Sequence, residues 1–99
     1  MNLPPKVTLG GVAYTVGAVD MVENNGYFDH DRNPTIAVAG KTVDSLMPFV
    51  LLHEIGHAVH WQFGITGEAE EFADAFANGV LSLLKDNPAL IAAIMKEGG

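Results

Sequence analysis

The chain has no cysteine among its 99 residues, so neither a disulfide nor a thiolate-bound metal is open to it. Any metal must be held by nitrogen and oxygen, which leaves the four histidines and the carboxylates. Basic residues are scarce as well, 5 against 12 acidic, and the resulting charge of -7 repels a phosphate backbone. No basic stripe interleaved with aromatics appears, so the expected partners do not include nucleic acid. Long apolar runs are also missing. The longest, Phe49 to Leu52 and Ala89 to Met95, fall far short of the ~20 residues of a membrane span, and no membrane partner is expected. The opening MNLPPKVTLGG lacks the basic and then apolar pattern of a secretory signal, which makes the cytoplasm the expected location.

What is present is a hydrophobic content of 48%, enough for a folded core and too much for disorder. At this length residues 1–99 read as a single domain. KVTLGGVAYTV, residues 6–16, alternates around Gly10-Gly11 and predicts a β-hairpin. A second hairpin is predicted between Tyr27-Phe28 and Thr35–Ala39, turning through HDRNP, with Asn24, Asn25 and Gly26 linking the two. The first half is thus expected to be a small antiparallel sheet.

Asp44-Ser45 is expected to cap a helix from about Leu46 to Phe63 with Pro48 in its first turn, broken by Gly64 and Gly67. A second helix should run from about Glu68 or Glu70 to Lys85. Asn87-Pro88 then reads as the cap of a short third helix ending near Lys96. Sheet first and helices after is an α+β class.

Within the first helix stands HEIGHAVH, residues 53–60. With Phe49 set to 0°, His53 falls at about 40°, His57 at about 80° and Glu54 at about 140°. The two histidines share a face and can converge on one ion, while Glu54 flanks it, suited to hold a water beside the metal. From this chain's own His and Glu frequencies HExxH arises by chance about once in a hundred sequences, so a third ligand must be sought.

The candidates are Glu68, Glu70 and Glu71. With Glu70 at 0°, the apolar residues Phe76, Val80, Ala73, Leu84, Ala77 and Leu81 fill an arc from about 240° through to about 20°. Glu70 and Asp74 lie on its edge, whereas Glu71, at about 100°, falls among polar neighbours. Glu70 is therefore the expected third ligand, because coordination removes the cost of setting a carboxylate against apolar surface. Asp74, one turn on, is placed to accept the free ring N–H of a ligand histidine.

HEIGH followed by Glu70-x-x-x-Asp74 resembles the gluzincin class of zinc metallopeptidases. LGGVAYTV, LLHEIGHAVH and EEFADAFANGVLSLLKDNP together are similar to small phage and prophage metallopeptidase-like proteins related to the ImmA/IrrE-type peptidases, over roughly Pro5 to Leu90. The resemblance implies a minimal zincin-like fold and zinc held by His53, His57 and Glu70. It implies Glu54 as general base, Asp74 behind a ligand histidine, and a protein or peptide substrate such as a repressor or other regulator in a bacterial cytoplasm. It also implies a substrate strand laid along a sheet edge above the active-site helix, for which Thr35–Ala39 is the expected edge. An oxyanion-stabilising Tyr or His is usual in such enzymes, and Tyr27, His30 and His60 remain open for it.

Zinc suits a His2Glu donor set best, with manganese or cobalt able to substitute. The alternative to a peptidase is a protein that keeps the metal but is weak or latent in catalysis and acts as a binding or regulatory module. A structural site would be closed by a fourth protein ligand such as His60, although His60, one turn on from His57, is better placed for packing. Glu68 and Glu71 read as solvated charges at a helix start, and His30 as an exposed turn residue. Trp61, Phe63, Phe72 and Phe76 are expected in the core.

Overall fold

The computed structural model describes residues 2–20, 25–30 and 33–98. Asn24 of the expected link, and Asp31 and Arg32 of the expected second turn, lie outside the described residues. The element order is β1 (Lys6–Leu9), β2 (Val12–Val19), β3 (Gly26–Asp29), β4 (Thr35–Ala39), α1 (Met47–Gln62), α2 (Ala69–Asp86) and α3 (Leu90–Gly98). This is the α+β arrangement expected: a four-stranded sheet followed by helices.

Both hairpins form. β1 and β2 pair antiparallel with Leu9 opposite Val12, turning through Gly10 and Gly11, both at positive φ. β3 and β4 also pair antiparallel, with Tyr27 opposite Ala37. The hairpins join, however, through a parallel β2–β4 pairing, so the sheet is mixed and its order is β1-β2-β4-β3. β4 is therefore central, and the edge beside α1 is β3, which corrects the expectation for Thr35–Ala39. The physical reason lies in composition: Ile36–Ala39 is apolar and buried on both faces, as a central strand must be, whereas Gly26–Asp29 alternates partly buried with exposed residues.

α1 lies across the sheet. Met47, Val50, Leu51 and Ala58 pack on Tyr14, Val16, Ile36 and Val38 to form the core. Truncating a residue such as Leu51 to alanine there costs about 2–5 kcal/mol. The N-cap of the helix is Leu46, not the expected Asp44 or Ser45. Two backbone turns, Leu46 N–H to Val43 O and Met47 N–H to Asp44 O, lead the chain into the helix instead.

α2 begins with Glu68 as N-cap, its carboxylate accepting from Glu71 N–H at 2.7 Å. At its far end Asn87 closes α2 rather than opening α3, donating from both its backbone N–H and its side chain to Leu83 O. α3 starts only at Leu90, after the turn that holds Pro88. Among the described residues no helix is long and apolar enough to cross a membrane.

Two of the residues expected in the core are not there: Trp61 and Phe63 are mostly exposed, because they lie at the C-terminal end of α1 with solvent on one side. Phe72 and Phe76 are partly buried and stack on each other, 6.0 Å between ring centres.

Candidate metal centre

Close packing of α1 on α2 builds the site. Ala73 and Ala77, one turn apart, are fully buried. Opposite them Gly56 lies so near that a Cβ there would stand 3.0 Å from Ala73 Cα. Small residues on both sides let the backbones approach, which brings Glu70 over the histidine face of α1.

His53 Nε2 lies 3.2 Å from Glu70 Oε2, and His57 Nε2 lies 2.7 Å from Glu70 Oε1. One donor atom from each of these three residues falls within 4.8 Å of the other two, a group that can hold a metal ion. Donors about 2.0–2.1 Å from a tetrahedral ion stand about 3.3 Å apart, so the two histidine–carboxylate contacts need change by only tenths of an ångström. The exposed Glu70 side chain is free to make that shift, and two imidazoles with a carboxylate fit a divalent cation.

Behind His53, Asp74 Oδ1 sits 2.9 Å from Nδ1, although the N–H is not aligned on it. The expected pairing is thus in contact but off its best angle. Glu70 and Asp74 were expected at the edge of an apolar arc. Both side chains are more than half exposed while touching histidines that are largely covered. The arc itself is covered only in part: Ala73 and Ala77 are buried, yet Leu84 is exposed.

Glu54 is the one buried charged side chain of the core, among the described residues. Burial pushes its carboxyl up from 4.5 to about 7, with the charge of His53 pulling it down and that of Glu70 pushing it up. Across from it runs β3. A Cβ on Gly26 would lie 3.1 Å from Glu54 Oε2 and 2.5 Å from Ala37 O, so only glycine lets the strand approach this closely.

Two hollows meet at this point. One, about 430 Å³, is walled by Leu46, Phe49 and Val50 on one side and Glu70 and Asp74 on the other; the second, about 300 Å³, runs under Phe28 to His57. Both include Gly26, Glu54 and Glu70, so together they form a groove over the candidate metal ligands.

The remaining candidates separate clearly. His60 Nε2 is 3.1 Å from Gly67 O and its ring lies beside Phe72, so it braces the loop between α1 and α2. It is not part of the ligand group. His30 is not a free turn residue: its Nδ1 lies 3.0 Å from the Tyr14 hydroxyl and its ring stacks on Trp61. Tyr27 borders the groove from β3 and is exposed. Sequence reasoning missed Gly26, Leu46, Phe49 and Gly56; only Gly56, small and central in HEIGH opposite an Ala73/Ala77 pair, carried a legible signal.

Comparison with protein-family models, with curated proteins and with solved structures finds no match to this chain.

Proposed function

We propose that the protein is a minimal zinc-dependent metallopeptidase, with His53, His57 and Glu70 as metal ligands and Glu54 as general base. The observation that carries the reading is the place of Glu54: buried, with a carboxyl able to change protonation near neutral pH, beside three convergent donors on the floor of a groove. A bound zinc ion would supply a polarising charge and an acidified water. The Glu54 carboxylate would accept a proton from the attacking water and pass it to the leaving amine. Asp74 sits behind the His53 ring, whose Nε2 faces Glu70, and would help hold that ring toward a bound metal.

The substrate is a peptide in extended form. Ala39 N–H donates to Asn25 O, which sets the hydrogen-bonded pairs of the β3–β4 ladder at Asn25, Tyr27 and Asp29. Gly26 and Phe28 therefore turn their N–H and C=O groups to the open edge, where a peptide strand can add beside Glu54. A protein substrate, a regulator for example, in the cytoplasm of a bacterial host of phage or prophage agrees with the resemblance of the motifs.

The alternative is a metal-holding protein that binds a partner without turnover. A closed structural shell would need a fourth protein ligand, and the engagement of His60 with Gly67 O favours the enzyme. The test is calorimetric zinc titration of wild type against Glu70→Ala, followed by cleavage of an unfolded protein substrate by wild type and Glu54→Gln. One site per chain, weakened at least ~10-fold in Glu70→Ala, with cleavage abolished in Glu54→Gln, supports the peptidase. Zinc binding without cleavage supports the binding module, and no zinc binding overturns both.

A further inference from the structure

The metal centre occupies the N-terminal half of α2, and the other half of that helix leads into a surface it does not use. Leu83, Ile91, Ile94 and Met95 are each at least half exposed, and Leu84 is exposed beside them in sequence. Every residue from Ile91 to Lys96 is exposed, so α3, nine residues long, forms with almost nothing buried against it. A helix that short is marginal in water and draws its stability from packing an apolar face. This one has the face without the packing.

We propose that the end of α2 and α3 form a self-association surface, on which a second copy of this chain docks through the same residues to make a four-helix contact. Charge distinguishes a second copy from other occupants. Residues 78–99 carry Lys85 and Lys96 against Asp86 and Glu97 and are neutral, so the whole charge of -7 lies in residues 1–77. Two identical chains repel wherever that acidic part meets itself; the neutral apolar end can face its own copy without this cost. An isologous pair needs such a self-compatible patch.

The area agrees. The five large side chains leave bare about 500 Å² per copy, at the upper end for a monomer. Pairing two copies removes about 1,000 Å², the lower bound for a specific interface. Leu84 lies 14 residues beyond Glu70 along α2, about 21 Å of helix, so both grooves stay open in the dimer.

The experiment is sedimentation equilibrium of the full chain from about 1 to about 200 µM, with wild type, Ile91→Glu/Ile94→Glu and Thr8→Glu on the outer face of the sheet. Expected are a mass that doubles with concentration in wild type and Thr8→Glu, and a single-chain mass throughout for Ile91→Glu/Ile94→Glu. Thermal unfolding at the lowest concentration should be alike in all three, because Ile91 and Ile94 support nothing within one chain. Wild type at single-chain mass over the whole range overturns the proposal, and so does a dimer that survives Ile91→Glu/Ile94→Glu.

Discussion

Gly56 and Ala73 meet so closely that a Cβ on Gly56 would stand 3.0 Å from Ala73 Cα and 3.2 Å from the Phe76 ring. Replacing a helical glycine with alanine ordinarily gains about 1 kcal/mol from propensity. Here the added methyl pushes against backbone, and overpacking of this kind costs about 1–3 kcal/mol. Gly56→Ala is therefore expected to lower stability by about 1 kcal/mol in urea unfolding of the metal-free protein. It should also weaken zinc binding, because separating α1 from α2 carries Glu70 away from both histidines. A stabilised Gly56→Ala protein with unchanged zinc affinity would show that the helices have slack.

His60 and Asp74 offer a contrast between two residues that each lie one turn from a candidate ligand. Asp74 touches His53 Nδ1, whereas His60 reaches away to Gly67 O. Asp74→Ala should reduce zinc affinity about 10- to 100-fold. His60→Ala should leave the affinity within a factor of about two while costing about 1 kcal/mol of stability through the lost loop contact. Competition against a chromogenic zinc chelator measures both, and a larger zinc effect from His60→Ala would place that residue in the metal shell.

The cluster of His53, His57 and Glu70 was legible because helix periodicity is local: i, i+4 spacing puts His53 and His57 on one face, and the apolar arc of α2 points to Glu70. The hairpins were legible for the same reason, from alternation and from Gly10-Gly11. What the sequence did not disclose was how distant pieces meet. The parallel β2–β4 pairing depends on which hairpin edges join, and strand-by-strand alternation is silent on that, so it does not reveal that Gly26–Asp29 rather than Thr35–Ala39 is the edge. Trp61 and Phe63 looked like core on hydrophobicity alone. Their exposure follows from where α1 ends over the sheet, which is again a tertiary fact. Pro88 is a good first helical residue in isolation, but Asn87 was already committed to closing α2.

Tyr14 has no exposed surface, and its hydroxyl joins three elements. It accepts from Gln62 Nε2 at 2.5 Å and lies 3.0 Å from His30 Nδ1. Tyr14→Phe keeps the ring and removes both bonds. Because Gln62 and His30 are only partly buried and can turn to water, the expected loss is about 1–2 kcal/mol. Zinc affinity should not change, since this cluster shares no residue with the candidate metal ligands. Parallel urea unfolding and zinc titration check the two halves of this expectation.

Glu54 makes the stability of the metal-free protein depend on pH in an unusual direction. Burial raises its carboxyl from 4.5 to about 7, so between these values the folded chain keeps a proton that the unfolded chain releases. Stability from this group is fully present below about 4.5, falls as pH rises and is lost above about 7, a change of about 3 kcal/mol. Glutamine at the same position cannot ionise, so Glu54→Gln should gain about 3 kcal/mol relative to wild type between pH 4 and pH 8. Urea unfolding in the presence of a chelator measures it, and parallel pH curves for the two proteins would refute it. A divalent cation at His53, His57 and Glu70 favours the carboxylate form of Glu54. Zinc binding near pH 6 should therefore release more protons from wild type than from Glu54→Gln, which calorimetry in buffers of different ionisation enthalpy reads directly.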